Sequence, residues 1–274
     1  MSGSRLQDRA CVIVGGTGGI GRACARRFVD EGARVVVVGL GGPDDGLEAH
    51  APVGLAGRIE GDASQPVEVA LIFTEATRML GGRLDVLVHV AGISGRRFGD
   101  GPLHECSDDG WERVMEANAR STFLTNREAV RLMLGQEIDG GGLRGSIVNV
   151  GSVLSESPSP HHFGTVAYAA SKGAVRSLTL TSASRYAADR IRFNLIEPGL
   201  IDTPMAARAV SDAEICSYLE TKQPMAGGAG AADDVAEAAL YLCEPASRFV
   251  TGVVLAVDGG WRLSDGQLAR NTHS

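Results

Sequence analysis

The chain has 274 residues, of which 44% are hydrophobic, and a formal net charge of −7. This length accommodates one or two domains with a buried core, and the acidic balance argues against nucleic-acid binding, which normally needs a basic surface. The five scattered cysteines form no C-x-x-C pair, and no apolar run reaches the roughly 20 residues of a membrane span. We therefore expect a cytoplasmic protein without a metal site, a disulfide framework or a membrane partner.

Short β-branched runs alternate along the chain with longer segments of helical periodicity. The predicted strands are Cys11–Val14, Arg34–Val38, Arg58–Gly61, Val86–Ala91, Ser146–Val150, Ile191–Ile196 and Val253–Val257. The predicted helices are Ile20–Glu31, Pro66–Leu80, Asp108–Leu134, Val166–Asp189 and Asp233–Cys243. This alternation predicts an α/β fold with a doubly wound, seven-stranded parallel sheet flanked by helices. No linker interrupts the pattern, so we predict one domain over residues 1–274.

Two long connections depart from the simple alternation of strands and helices. Residues 152–164 contain Pro158 and Pro160, and residues 200–230 contain Pro204 and Pro224. Both connections follow the carboxyl ends of predicted strands, where open α/β sheets bind their ligands. We therefore expect both of them to line a pocket, with residues 200–230 as the substrate loop.

Glycines cluster between the first predicted strand and the first predicted helix, with the spacing Gly15-x-x-x-Gly19-x-Gly21. Glycine permits a tight turn and lets the backbone approach a pyrophosphate, which then lies at the helix N-terminus. The chain has no Gly-Lys-Ser/Thr sequence, which excludes a Walker phosphate loop. The cluster therefore predicts a dinucleotide-binding site.

The second predicted strand ends without the side chain that usually distinguishes NAD from NADP. An acid at this place binds the 2′-hydroxyl of the NAD ribose, whereas an arginine favours the 2′-phosphate of NADP. This chain has Gly39-Leu40-Gly41, followed by Asp44 and Asp45, which we interpret as turn residues. Since no arginine occupies the phosphate position, the sequence favours NAD and leaves NADP open.

Tyr168 and Lys172 lie four residues apart in a predicted helix, so their side chains share one helical face. The chain has four tyrosines, and its only two lysines are Lys172 and Lys222. Random placement would give about 0.03 tyrosine–lysine pairs with this spacing. A phenol with an ordinary pKa near 10 is a poor acid–base catalyst at neutral pH, and a neighbouring ammonium lowers that pKa. The pair therefore predicts general acid–base catalysis.

From Arg9 to about Gly260 the chain resembles a classical short-chain dehydrogenase/reductase, because several motifs occur in that family's order. Val14 stands where the glycine motif usually has threonine, and His89 and Val90 replace the two asparagines of an Asn-Asn-Ala-Gly motif. The resemblance implies a Rossmann fold and an NAD(P) cofactor. It assigns nucleotide contacts to Gly15, Thr17, Gly18, Gly19, Ile20, Gly21, Leu40, Asp62, Ala63, Ala91, Gly92, Tyr168, Lys172, Pro198, Gly199, Ile201 and Thr203.

The resemblance also implies a catalytic tetrad of Asn118, Ser152, Tyr168 and Lys172. In ketone reduction Tyr168 gives a proton to the developing alkoxide, and Ser152 hydrogen-bonds to the same oxygen. Lys172 lowers the tyrosine pKa and holds the nicotinamide ribose, while Asn118 maintains a bent helix and a water that links Lys172 to solvent. The stretch between Ser152 and Tyr168 is longer than the family pattern leads us to expect, so Ser155 is an alternative for the serine.

The substrate is expected to be a medium-sized apolar or cyclic secondary alcohol or the corresponding ketone. The predicted substrate-binding residues are Ser152, His162, Phe163, Tyr168 and Met205. An apolar wall is expected from Phe163, Leu200, Met205, Ala206 and Tyr218, unless these residues simply pack in the core. Arg96 and Arg97 follow the fourth strand, where they either meet an anionic group or remain solvated loop charges.

Two other functions share some of these features. A 3-oxoacyl-carrier-protein reductase has the same fold and tetrad, but it needs a basic docking patch and NADP. A non-catalytic dinucleotide-binding regulator is expected to have lost the tyrosine or the lysine. Because relatives commonly form tetramers through their two long helices, we expect a homotetramer or homodimer. Leu124, Val130, Leu178 and Leu180 lie either at that contact or against the sheet.

Overall fold

Seven parallel strands form one sheet in the computed structural model, which describes residues 4–41 and 53–267. The strands are β1 (Ala10–Val14), β2 (Arg34–Gly39), β3 (Gly57–Glu60), β4 (Val86–His89), β5 (Gly145–Val150), β6 (Ile191–Pro198) and β7 (Val254–Val257). Their order in the sheet is β3-β2-β1-β4-β5-β6-β7. The order reverses between β1 and β4, which opens a crevice at their carboxyl ends. The predicted seven-stranded parallel sheet is confirmed.

Helices cover both faces of this sheet. They are α1 (Gly19–Asp30), α2 (Pro66–Met79), α3 (Asp108–Val114), α4 (Ser121–Gly135), α5 (Val166–Tyr186), α6 (Ala207–Val210), α7 (Ala213–Lys222) and α8 (Ala232–Cys243). Along β1, Ile13 packs with residues of α1 and α8, whereas Val12 and Val14 pack with residues of α2 and α4 on the other face. Since both faces are covered, every position of β1, β4 and β5 is buried, and most of these positions are apolar.

The fourth strand and the long helices differ in detail from the prediction. Strand β4 ends at His89, because the amides of Val90 and Ala91 both turn to donate to Val14 O, at 2.9 and 3.1 Å. A π-helical turn, Met115–Arg120, interrupts the helix predicted over residues 108–134. Such turns insert an extra residue into a helix and frequently occur at functional sites.

The two long connections contain short elements of their own. Residues 200–230 hold α6 and α7, and an isolated bridge joins Ile201 to Gly230. Asp212 caps α7, since its carboxylate accepts from the amides of Glu214 and Ile215 at 3.0 and 3.1 Å. Residues 152–164 begin with one 3₁₀ turn, Val153–Ser155. The substrate loop is therefore built largely from helical turns rather than irregular chain.

Two further expectations depend on where residues lie in this fold. Leu124 and Val130 are buried against the sheet, so they face the core and do not offer a surface to a second subunit. Asp44 and Asp45, which we interpreted as turn residues, lie outside the described residues.

No helix in the described ranges has both the length and the apolar character needed to cross a bilayer.

Candidate active site

A cavity of about 670 Å³ opens at the carboxyl ends of the strands, where the strand order reverses. Most of the residues predicted for the nucleotide, the substrate and the proton transfer line it together. They are Gly15, Thr17, Gly18, Gly19, Ile20, Leu40, Asp62, Ala63, Ala91, Gly92, Ser152, Phe163, Tyr168, Lys172, Pro198, Gly199, Ile201, Thr203 and Met205. Three predicted residues, Gly21, Asn118 and His162, lie outside this wall.

The glycine loop presents bare backbone to the cavity at the start of α1. Gly18 caps this helix without any side-chain hydrogen bond, and its first turn carries no acidic residue. Gly15 has a φ of +81°, and a Cβ at this position would lie 2.6 Å from Ala91 N. The unsatisfied amides of a helix N-terminus suit an anion, so this end of the cavity fits a pyrophosphate group.

Gly21 lies in α1 and packs against the glycine loop on the side away from the cavity. It is buried, and a Cβ there would lie 2.0 Å from Gly15 O. Only glycine allows α1 to approach the loop this closely, which explains why Gly21 belongs to the motif although it does not line the cavity.

The opposite wall of the nucleotide end comes from the ends of β2 and β3. Leu40 is 73% exposed, and a Cβ on Gly41 would lie 2.7 Å from the carboxyl carbon of Glu60. Asp62 accepts a hydrogen bond from Ser64 N at 2.8 Å. This wall therefore carries the carboxylates of Glu60 and Asp62, and Glu60 is paired with Arg58 at 3.0 Å.

Ser152 and Tyr168 meet where the nucleotide end joins the apolar end of the cavity. Ser152 Oγ accepts from Leu154 N at 3.2 Å, and the Ser152 hydroxyl lies close enough to the Tyr168 side chain to lower its pKa. Burial raises the pKa of Tyr168 above its ordinary value, and the nearby Ser152 hydroxyl partly offsets this increase. Tyr168 is therefore protonated at neutral pH, which is the form that can donate a proton.

Ser155, the alternative serine, is held elsewhere. Its Oγ lies 2.8 Å from Glu197 Oε1, and Glu197 is fully buried against Arg176 with a contact of 3.0 Å. Ser155 does not line the cavity. Between the two serines, Ser152 is the one that contacts the tyrosine.

Lys172 is almost completely buried beside Tyr168. Its Nζ donates to Val150 O at 2.9 Å and lies 5.8 Å from the centroid of the Tyr168 ring. Burial lowers the pKa of Lys172 to about 8. The expected lowering of the tyrosine pKa by this ammonium is therefore not found in this structure, because desolvation of the phenolate dominates the pKa of Tyr168.

The lowered pKa of Lys172 predicts how the stability of the folded protein depends on pH. The group titrates at about 8 in the folded protein and near its ordinary value of 10.5 when unfolded, so the unfolded chain binds more protons between these values. The titration of Lys172 should therefore increase the free energy of unfolding as the pH rises across this window, by roughly 3 kcal/mol in total. Chemical denaturation of the wild type and of Lys172→Met from pH 7 to pH 10 measures this contribution as a difference.

The comparison with Lys172→Met is needed because other buried groups titrate in the same range. Burial raises the pKa of the Cys11, Cys24 and Cys243 thiols, so these thiols destabilise the folded state as the pH rises. The same thiols are present in the wild type and in Lys172→Met, so their contributions cancel when the two free energies of unfolding are subtracted. Parallel curves for the two proteins would contradict a lowered pKa for Lys172.

Asn118 lies in the π-helical turn, directly behind the cavity wall. Its Oδ1 accepts from Ile93 N at 2.8 Å, and its Nδ2 donates to Ile93 O at 3.1 Å and to Ser171 Oγ at 2.9 Å. A Cβ on Gly92 would lie 2.8 Å from this amide oxygen and 3.6 Å from Lys172 Nζ. Asn118 thus joins the bent helix to the segment after β4 and to the helix that carries Tyr168.

Asp100 holds the start of that helix, and sequence reasoning did not identify it. Its carboxylate is buried and accepts from the amides of Ala167 and Tyr168, at 3.0 and 2.9 Å. An acid at this place satisfies two amides of the first turn and complements the helix dipole. The residue follows a different strand, 68 positions before Tyr168, so no local pattern indicates the contact.

His89 occupies the place of the first usual asparagine and has become part of the core. Its Nδ1 lies 2.9 Å from Thr125 Oγ1, and its Nε2 lies 3.2 Å from Ser121 Oγ. Burial, reinforced by the charge of Lys172, lowers the pKa of His89 to about 3, so the imidazole stays neutral. The neutral ring is therefore held by two hydroxyls of α4.

The far end of the cavity is mainly apolar. Leu154, Phe163, Leu200, Met205, Ala206 and Trp261 line it. Tyr218, predicted for this wall, lies behind it against Trp261, with ring centroids 5.9 Å apart. The His162 ring packs on Tyr218 at 4.7 Å rather than lining the cavity. Neither Leu154 nor Trp261 was predicted, because each reaches the cavity only through the folding of a long connection.

Comparisons with known proteins agree with this arrangement. A family model described as enoyl-(acyl carrier protein) reductase matches residues 15–262. The chain is 34% identical to a cis-4-hydroxycyclohexanecarboxylate dehydrogenase of Sinomonas cyclohexanicum, over 94% of this chain and 98% of that protein. It is also 34% identical to a 3-oxoacyl-[acyl-carrier-protein] reductase of Thermotoga maritima, over 93% and 98%.

A solved structure from Agrobacterium tumefaciens with bound NADP has the same fold. It superimposes with a TM-score of 0.80 at 30% sequence identity, covering 95% of this chain and 99% of that one. Residues 15–262, which the family model matches, include the glycine loop, the helix of Tyr168 and Lys172 and the closing strand. The chain therefore belongs to the classical short-chain dehydrogenase/reductase family and is an NAD(P)-dependent oxidoreductase that interconverts alcohols and ketones.

Proposed function

We propose that this enzyme uses NAD to interconvert a medium-sized cyclic secondary alcohol and its ketone. The observation that carries the proposal is the contact between Ser152 and Tyr168, at the point where a glycine-lined end of the cavity joins an apolar end. The relative from Sinomonas is named for a hydroxyl group on a six-membered ring, which supports a cyclic substrate.

The residues at this junction have complementary tasks. When bound, the nicotinamide accepts or delivers a hydride, which is chemistry that no amino-acid side chain supplies. In ketone reduction the protonated Tyr168 donates its phenolic proton to the developing alkoxide, and the Ser152 hydroxyl stabilises the same oxygen. Lys172 lies next to this pair and is held by Val150 O, at a place from which its ammonium would bind the nicotinamide ribose.

The preference for NAD is supported by the charges at the nucleotide end. Asp62 lines this end and the Glu60 carboxylate lies beside Gly41, where a 2′-phosphate would meet like charge. NAD and NADP share the pyrophosphate that the glycine loop fits. The difference in affinity between them should therefore come from the two carboxylates.

A fluorescence titration with NADH and NADPH tests the cofactor assignment. We expect NADH to bind at micromolar concentration and at least about tenfold more tightly than NADPH, since one like-charge contact is worth at least this factor. Turnover is then measured with a panel of cyclic and acyclic secondary alcohols, which should favour the cyclic ones. If neither nucleotide binds at micromolar concentration, the proposal fails.

A 3-oxoacyl-carrier-protein reductase is the second candidate, favoured by the similarity to the Thermotoga enzyme. This activity requires an elongated acyl thioester to reach Tyr168 and would be accompanied by a preference for NADPH. Rapid reduction of a 3-oxoacyl thioester with NADPH, together with slow turnover of the cyclic ketones, would favour this candidate.

We also propose that the enzyme forms a homotetramer or homodimer in the cytoplasm. On α4, Phe123 and Leu134 are 47% and 44% exposed, and Leu180 on α5 is 37% exposed. These three residues replace the buried Leu124 and Val130 as the apolar side chains available to a second subunit.

A further inference from the structure

The apolar end of the cavity carries an unusual concentration of positive charge. Arg96, Arg97 and Arg208 all line it, while Asp62 is the one acid among the described residues of the cavity wall. Asp62 follows β3 at the nucleotide end, so it does not neutralise the arginines. In a chain with a net charge of −7, this is a local reversal of sign.

These three arginines differ from many others in the protein because they are not held in ion pairs. Arg26, for example, is paired with Asp233, and Arg78 is paired with Glu75. Within the described ranges, no carboxylate lies within ion-pair distance of Arg96, Arg97 or Arg208. A guanidinium that lines a cavity without a carboxylate partner is available to an anionic ligand.

Arg96 is held in place although it lacks an ion pair. Its Nη2 donates to His162 O at 2.7 Å, which joins the turn after β4 to the 152–164 connection. Burial and the nearby charge of Arg208 lower the pKa of Arg96, and Asp100 opposes this effect only weakly. Asp100 is already bonded to two amides of α5. Arg96 and Arg208 are thus like charges whose repulsion an anion between them would relieve.

Arg97 has a different environment. Its guanidinium lies over the Phe98 ring, 4.7 Å from the centroid, which occupies one face of the group. Among the described residues no aromatic ring lies against Arg208, which comes from α6 and lines the same cavity as Arg96. The pair best suited to bind one anion is therefore Arg96 and Arg208, which line one cavity and whose charges influence each other.

The cavity that contains this pair of arginines also has an apolar surface and the reacting centre on its wall. Leu154, Phe163 and Met205 belong to the cavity wall, as do Tyr168 and the two arginines. A substrate that reaches from Tyr168 to the arginines therefore needs a hydroxyl or carbonyl at one end, an apolar ring or chain in the middle, and an anion at the other end.

We propose that Arg96 and Arg208 form an anion-binding subsite, and that the preferred substrate is a hydroxy or oxo acid in which an apolar ring or chain separates a carboxylate or sulfonate from the reacting carbon. This inference rests on the proposed function, whose reaction occurs at Tyr168. It adds a substrate class that the reaction itself does not require.

Matched ketones test the proposal with the full-length enzyme and NADH. 4-Oxocyclohexanecarboxylate carries the anion, and 4-oxocyclohexanecarboxamide has the same ring without the charge. We expect kcat/KM to be about 10- to 100-fold higher for the acid, the range expected for charge-assisted hydrogen bonds. Arg208→Gln should remove most of this difference, mainly through KM, while kcat/KM for the amide changes little.

Three variants separate charge from structure. Arg208→Lys should restore part of the preference for the acid, because it keeps the charge but not the bidentate geometry. Arg96→Gln should lower the preference as well, although it also loses the bond to His162 O. Arg113→Gln removes one exposed charge that is paired with Asp109 outside the cavity, and it should leave the preference unchanged.

Two outcomes would overturn the proposal while the proposed function stands. One is equal kcat/KM for acid and amide in the wild type, with NADH binding intact. The other is a preference for the acid that survives in both Arg96→Gln and Arg208→Gln.

A further substrate, 3-oxobutyryl-CoA, carries its anions on the thioester carrier. If the arginine variants impair only this substrate, the subsite serves a carrier phosphate rather than a small acid, and the proposed substrate class is wrong.

Discussion

Tyr168→Phe is expected to lower kcat by about 10²- to 10⁴-fold while the enzyme still binds NADH. The substitution removes only the hydroxyl, which is the proposed proton donor and lies close to Ser152. The phenyl ring keeps its packing, so the helix and the nucleotide end remain in place. Steady-state turnover and a fluorescence titration with NADH, measured on the same preparation, separate the two effects.

A matched substitution on the same helix provides the control. Tyr186 lies at the end of α5 and stacks on Phe193 with a centroid distance of 5.9 Å, outside the cavity. Tyr186→Phe should retain wild-type turnover, because its hydroxyl has no part in the reaction. Near-normal turnover of Tyr168→Phe would refute the assignment of the proton donor, whatever its nucleotide affinity.

Gly21→Ala is expected to abolish tight nucleotide binding through a steric effect at a residue that does not line the cavity. The new Cβ would lie 2.0 Å from Gly15 O, a backbone atom that cannot move without displacing the glycine loop. Overpacking of this kind costs about 1–3 kcal/mol of stability. We expect a weaker affinity for NADH by at least tenfold and a lower midpoint of unfolding.

Gly18→Ala adds the same methyl group nearby as a control on stability. Gly18 has a φ of −127°, and a Cβ there would have no atom within 4 Å, so the folded state should tolerate it. Its midpoint of unfolding should stay close to that of the wild type. If Gly21→Ala unfolds at the same midpoint as Gly18→Ala and binds NADH normally, the close approach of α1 to Gly15 is not required.

Sequence patterns predicted the sheet and most of the cavity wall because these features depend on which residues follow one another within short stretches of the chain. Buried parallel strands are apolar on both faces, and a glycine cluster between a strand and a helix has few structural uses other than close approach to a ligand. The spacing of Tyr168 and Lys172 needs nothing beyond one helical turn. Carrying the family's motif onto Ser152 likewise identified the serine that contacts Tyr168 in the structure.

Predictions from single residues were less reliable where the neighbours come from elsewhere in the chain. His162 was predicted to touch the substrate, yet its ring packs on Tyr218, since the 152–164 connection folds back against α7. Lys172 was expected to lower the pKa of Tyr168, but burial of the phenol raises this pKa instead. Burial depends on the whole fold, so the sequence alone cannot supply it.

The amino-acid sequence by itself determined the strand and helix order, the glycine loop and the tyrosine–lysine pair, because each follows from spacing along one or two adjacent elements. Only the tertiary structure decided that Asp100 caps the helix of Tyr168 and that Arg96 and Arg208 line one cavity. These contacts join loops that follow different strands. Parallel strands bring their carboxyl ends to the same edge of the sheet, and the residues that meet there are therefore distant in sequence.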